Sequence, residues 1–160
     1  MVTERNIDPD AMWYTNRLAI RFPYVPDTLS TDRHPHVSRT SPVRLRRAVE
    51  QICRQFDQET EMGVAYNASH PPGDHVTVVL IPSQCYLIGR ARLMAGAIGV
   101  NARDYKGGPA AIWVYVDPYE RGRGLIDEAW PHMLRSWPGL RFAGPFTMAG
   151  ERLRDRLDAG

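Results

Sequence analysis

At 160 residues the chain has the length of one domain that can bury a core without disulfide or metal staples. Its 43% hydrophobic and 24% charged residues are those of a globular protein, and a net charge of +2 excludes a field strong enough alone to draw it to nucleic acid or a membrane. Cys53 and Cys85 lack metal-site spacing and are expected to be free thiols in a reducing compartment.

Met1 to Asp10 carries four charges and no apolar run, unlike a signal peptide. No apolar stretch approaches the roughly 18 residues of a spanning helix, so a soluble, cytoplasmic protein with no membrane partner is expected. Residues 1–41 read as an N-terminal segment of the same domain, with one candidate strand at Leu18–Phe22. Pro23 to Ser41 is rich in Pro, Ser, Thr, Asp and His and reads as loop, with His34 and His36 as surface histidines.

The core is expected over 42–160. Ser41-Pro42 has the form of a hydroxyl cap followed by proline at the first helical position. Val43, Ala48, Val49, Ile52, Cys53 and Phe56 then recur at helical spacing, which predicts an amphipathic helix over 42–58. Arg44, Arg46, Arg47 and Arg54 form its solvated face. His75–Ile81 and Gln84–Met94 read as the arms of a hairpin turned at Pro82-Ser83, followed by a glycine-bearing connection over 95–109. Ala111–Val116 is an apolar central strand. A helix from Gly122 to Trp137, broken or kinked at Pro131, a strand at Leu140–Phe146 and a helix at Met148–Leu157 complete a mixed α/β sheet.

Chemistry concentrates in the run Ile112-Trp113-Val114-Tyr115-Val116-Asp117-Pro118-Tyr119-Glu120-Arg121-Gly122-Arg123-Gly124-Leu125-Ile126. A buried strand passes through a Pro turn and an Arg/Gly loop into a helix. The first helical turn leaves N–H groups unpaired and carries partial positive charge. Glycines let a phosphate approach the backbone, and Arg121 and Arg123 add cations. The run is an anion cradle by construction.

This pattern resembles the signature loop of the GNAT superfamily of N-acetyltransferases, in which Arg121 and Gly124 match fixed positions and Ile126 replaces a preferred small residue. The resemblance implies a single-domain twisted sheet flanked by helices, with a V-shaped split between the strands at 111–116 and 140–146. It implies acetyl-CoA as cofactor, its pantetheine arm on backbone groups of Val114 and Val116 and its pyrophosphate on residues 121–126, that is Arg121, Gly122, Arg123, Gly124, Leu125 and Ile126. Over 110–157, roughly a third of the chain, Ile-Trp-Val and Pro145-Phe146-Thr147-Met148-Ala149-Gly150 also resemble the acetyltransferase domain of sister-chromatid cohesion acetyltransferases. No Cys/His pattern with the spacing of that family's zinc finger occurs in these residues, and Ala110 and Gly144 stand at its catalytic serine and aspartate positions.

The implied reaction is transfer of acetyl from acetyl-CoA to an amine (of a protein, a small molecule or a nucleobase) by direct attack in a ternary complex. It needs a proton acceptor, an oxyanion site and a proton donor for the leaving thiolate. Asp117 and Glu120 are the candidate bases, and Tyr119, Thr147 and Tyr115 the candidate acids, although alternation along the strand sets Tyr115 on the other face of the sheet. The alternatives are a GNAT-fold protein that has lost catalysis and acts as a binding or regulatory partner, and a nucleic-acid-binding protein using the arginine face of helix 42–58. The closing hairpin of many GNAT enzymes finds no counterpart here, which would leave a sheet edge for a second copy of the chain or another protein to cover.

Overall fold

The computed structural model describes residues 23–60, 64–88, 91–103, 106–143 and 148–160. The strands are β1 (Tyr24–Pro26), β2 (His36–Val37), β3 (Val76–Ile88), β4 (Ala91–Asn101), β5 (Ala110–Val116) and β6 (Arg141–Phe142). The helices are α1 (Val43–Glu59), α2 (Leu125–Ser136) and α3 (Met148–Asp158). The strands form one mixed sheet in the order β2-β3-β4-β5-β6, with β1 also paired to β4. Only the β5–β6 pair is parallel among these pairings.

Two apolar clusters cover the two faces of this sheet. Leu45, Ala48, Val49, Ile52 and Cys53 fall on one stripe of α1 and pack with Val25, Val37, Val78, Leu80, Met94, Ala97 and Tyr115. On the opposite face Leu125, Ile126, Ala129, Trp130 and Met133 of α2 meet Val79, Ile81, Ile98, Val100 and Ala111, with Leu153 and Leu157 of α3 at the margin. The alternation of Val78 and Leu80 with Val79 and Ile81 places consecutive β3 residues in opposite clusters, as a strand buried on both faces requires. The mixed, helix-flanked sheet expected from the sequence is therefore present.

Several elements differ from their sequence readings. The β3–β4 hairpin does not turn at Pro82-Ser83; β3 runs on to Ile88, and Leu87 and Ile88 pair with Arg92 and Ala91. Pro82 sits instead at a register shift, where a strand tolerates the loss of an N–H donor. Residues 95–101 are not connection but the second half of β4. Gly96 and Gly99 belong there because a Cβ at Gly96 would run into the Tyr115 carbonyl, and one at Gly99 into the Trp113 indole.

Helix α2 passes through Pro131 without a break, its pyrrolidine ring on the solvent side. At the start of α1, Pro42 itself occupies the cap position; Ser41 Oγ accepts the Ser38 N–H at 2.9 Å instead of capping the helix. The candidate strand Leu18–Phe22 lies outside the described residues.

The histidines read as surface residues are packed. His34 is 5% exposed, and His36 Nε2 lies 3.2 Å from His132 Nε2 on α2. The His36 ring also stacks on Trp137 at 5.0 Å between centroids. No helix among the described residues is long and apolar enough to cross a membrane. Among those residues, too, no three His, Cys, Asp or Glu side chains converge on a position that could hold a metal ion.

Candidate functional site

The candidate site grows from the end of β5. Asp117 N donates to Ala95 O at 2.7 Å, so residue 117 faces β4. In an antiparallel ladder neighbouring residues alternate between facing the partner and facing away, which turns the backbone groups of Val116 and Val114 toward the other edge of β5. Among the described residues that edge pairs with β6 at its start: Ala110 pairs with Arg141 and Ala111 with Phe142, and Ala143 N donates to Ala111 O at 2.9 Å. The β4–β5 register then slips, with Gly99 opposite Trp113 and Val100 opposite Ala111. Ile112 is the extra residue of this bulge, and it is 37% exposed.

After Val116 the chain closes a 3₁₀ turn over Pro118–Glu120, with Glu120 N donating to Asp117 O at 2.9 Å. Asp117 and Glu120 are each 2% exposed, so neither carboxylate stands at an open cleft mouth. Glu120 Oε1 accepts the Ser83 hydroxyl from the bulged part of β3, and Glu120 Oε2 is buried without a hydrogen-bond partner among the described residues. Tyr119 lies in the 3₁₀ turn, while Thr147 and Gly144 are outside the described residues.

The loop proper is shaped by two glycines. Gly122 has φ 77° and Gly124 φ 74°, a left-handed backbone that other residues reach only with strain. Residues of alternating φ sign turn successive N–H groups toward one side, the backbone pattern of anion-holding nests. Gly124 is also the N-cap of α2, and no side-chain cap hydrogen bond is made there among the described residues. Its first-turn donors therefore keep their hydrogen-bonding capacity for another acceptor. Ile126 is 6% exposed and points into the core with Leu125, so its bulk is directed away from the loop.

The two loop arginines are placed differently. Arg121 folds back along the end of β5: its Nε donates to Val116 O at 2.8 Å, and its Nη1 lies 2.7 Å from Glu59 Oε1 at the end of α1. The guanidinium carbon stands 5.6 Å from the centroid of the Tyr115 ring. Tyr115 is buried, and its hydroxyl donates to Glu59 Oε2 at 2.7 Å. Burial first, and the Glu59 carboxylate second, push the Tyr115 phenol well above its usual range, which makes it a poor proton donor. Arg123 is exposed, and its carbonyl accepts Gln84 Nε2 at 3.3 Å.

Sequence reasoning missed Glu59, Ser83 and Gln84 as neighbours of this loop. Glu59 lies 56 positions from Tyr115, and no local pattern couples them. Helix α3 is tied to the same end of α2 by Arg156, whose guanidinium donates to Asp127 at 3.0 and 2.9 Å. On α1, Arg46 is not simply solvated: it bonds Ser41 O and Ala68 O, while Arg54 pairs with Glu50. Cys53 is buried, and burial pushes its thiol up to about 12, so it is no nucleophile.

No family model, no curated protein and no solved structure matches this chain. What it does is therefore read from its own residues.

Proposed function

We propose that the protein is an N-acetyltransferase of the GNAT type, which moves acetyl from acetyl-CoA to an amine acceptor. One observation carries the reading: a bulged strand whose outward backbone groups, at Val114 and Val116, lead into a loop of two left-handed glycines and then into a helix end without a side-chain cap among the described residues. That order of parts suits a ligand with an amide-bearing arm and a pyrophosphate.

The backbone groups of Val114 and Val116 would pair with the pantetheine amides, as a strand pairs with its neighbour. The N–H groups of Gly122 to Ile126 would hold the pyrophosphate, with Arg123 adding charge. Bound acetyl-CoA supplies the thioester whose carbonyl the amine attacks. The opening this requires between β5 and β6 fits their pairing at Ala110 and Ala111 among the described residues, and the bulge at Ile112 supplies a backbone turned out of the ladder at that point. Of the candidate bases, Glu120 has a carboxylate oxygen, Oε2, without a hydrogen-bond partner among the described residues. Tyr119 and Thr147 remain the candidate donors to the leaving thiolate.

A second reading, a GNAT-fold protein that binds without catalysing, is favoured by one observation. Ala110, at a family catalytic position, is fully buried and paired with Arg141. Mass spectrometry of the protein incubated with acetyl-CoA and a panel of amines and peptides separates the two readings. Acetylated product with release of free CoA supports the enzyme; cofactor binding with no product across the panel supports the binding protein.

A further inference from the structure

Arg121 opens the loop, yet its guanidinium is engaged elsewhere. Nε is on Val116 O at 2.8 Å and Nη1 is 2.7 Å from Glu59 Oε1, while Glu59 Oε2 takes the Tyr115 hydroxyl at 2.7 Å. Both oxygens of Glu59 are thus committed, and so is the carbonyl of Val116, one of the groups turned to the edge of β5 away from β4. Carboxylate and phosphate compete for the same guanidinium fork, since both present paired oxygens at matching spacing.

We infer that Glu59 is a built-in competitor for Arg121, which a bound pyrophosphate must displace, and that it thereby sets the affinity of the loop for its cofactor. This rests on the acetyl-CoA reading above. The pair is suited to exchange. Arg121 is 41% exposed and Glu59 20%, so the ion pair is partly hydrated and can open without stranding a charge in the core. When it opens, two things change together. Arg121 releases the Val116 carbonyl and swings its charge toward the loop. Glu59, still bonded to Tyr115, becomes a carboxylate with one uncommitted oxygen at the end of β5, on the α1 face of the sheet. An incoming cationic amine would find a counter-ion there only after the cofactor has bound. The order of binding then follows from a single exchange of partners.

Calorimetric titration with CoA tests this on four proteins: wild type, Glu59→Gln, Arg121→Ala and the double variant, each checked for folding by its melting transition. Gln keeps an acceptor for Tyr115 but lacks the charge that competes. Glu59→Gln is expected to bind CoA about fivefold tighter than wild type, the range open to a partly exposed ion pair. The gain is expected to vanish when Arg121 is alanine, because it acts through that side chain. Should Glu59→Gln fail to fold, Glu59→Ser asks the same question. Equal or weaker binding by a folded Glu59 variant, with wild type binding normally, overturns the inference and leaves the cofactor reading standing. A gain that persists without Arg121 overturns it too. If no folded protein of the set binds CoA, the cofactor reading itself has failed and this inference with it.

Discussion

His36 on the edge strand β2 and His132 on helix α2 meet Nε2 to Nε2 at 3.2 Å, across 96 positions of sequence. One of the two must be neutral for that contact to be a hydrogen bond. His34 lies beside them, its ring 5.5 Å from that of His132. Burial, then His132, hold His34 down to about 4, with Arg33 and His36 adding to this and Glu128 opposing it. Burial, then His132, lower His36 as well, against Asp32.

A pH dependence follows. The folded values lie below the unfolded one near 6.5, so the unfolded chain binds more protons between them. Stability from this cluster is complete above about pH 6.5 and is lost as the pH falls toward 4, where His34 takes up its proton. Urea denaturation at pH 7.5, 6 and 5 should show a falling midpoint. The double variant His34→Gln, His36→Gln should show a flatter slope over the same range. A wild-type midpoint that holds constant or rises on acidification would contradict this.

Gly96 and Gly108 should respond oppositely to alanine. A Cβ at Gly96 meets the backbone of Tyr115 and Val116, which cannot yield without moving β5. Gly96→Ala is expected to cost about 2–3 kcal/mol, in the range of overpacked cores. Gly108 has open space and no left-handed backbone, so Gly108→Ala should be neutral or stabilising by about 0.5 kcal/mol through the unfolded chain. Denaturant midpoints of the two variants check this, and equal losses would refute it.

Arg156 and Asp127 form a doubly bonded pair, but their side chains are 61% and 42% exposed. Arg156→Ala should therefore cost less than about 1 kcal/mol. Met133→Ala, removing a fully buried side chain beneath α2, should cost about 2–5 kcal/mol. Thermal melts rank the two. A larger loss at Arg156 would mean that the tie between α3 and α2 carries more of the fold than its exposure allows.

The sequence was legible where structure is local. The spacing of Leu45, Val49 and Ile52 marks α1, the apolar run at Ala111–Val116 marks β5, and Arg-Gly-Arg-Gly marks the loop into α2. It misled where punctuation residues serve tertiary packing. Pro82 looked like a turn but marks a register shift, and Gly96 and Gly99 looked like a flexible connection but clear space for Tyr115 and Trp113. Pro131 carried a break signal that the packing of Ala129, Trp130 and Met133 overrides. The partners of the candidate site were not legible at all. Glu59 against Arg121 and Ser83 against Glu120 are long-range pairings of ordinary polar residues, which no spacing rule announces. The position of Asp117 and Glu120 next to the loop was readable, while their burial was not.

Whether the loop after β5 holds acetyl-CoA is tested most directly by titrating the cofactor into the folded protein in a calorimeter. The companion is an Arg123→Ala, Gly124→Val variant, which removes the exposed cation and forces a β-branched residue onto a backbone at φ 74°. The account predicts binding by wild type with Kd on the order of micromolar and loss of at least about tenfold in the variant. A folded wild-type protein that gives no binding heat, and no shift of its melting transition with excess acetyl-CoA, would contradict it.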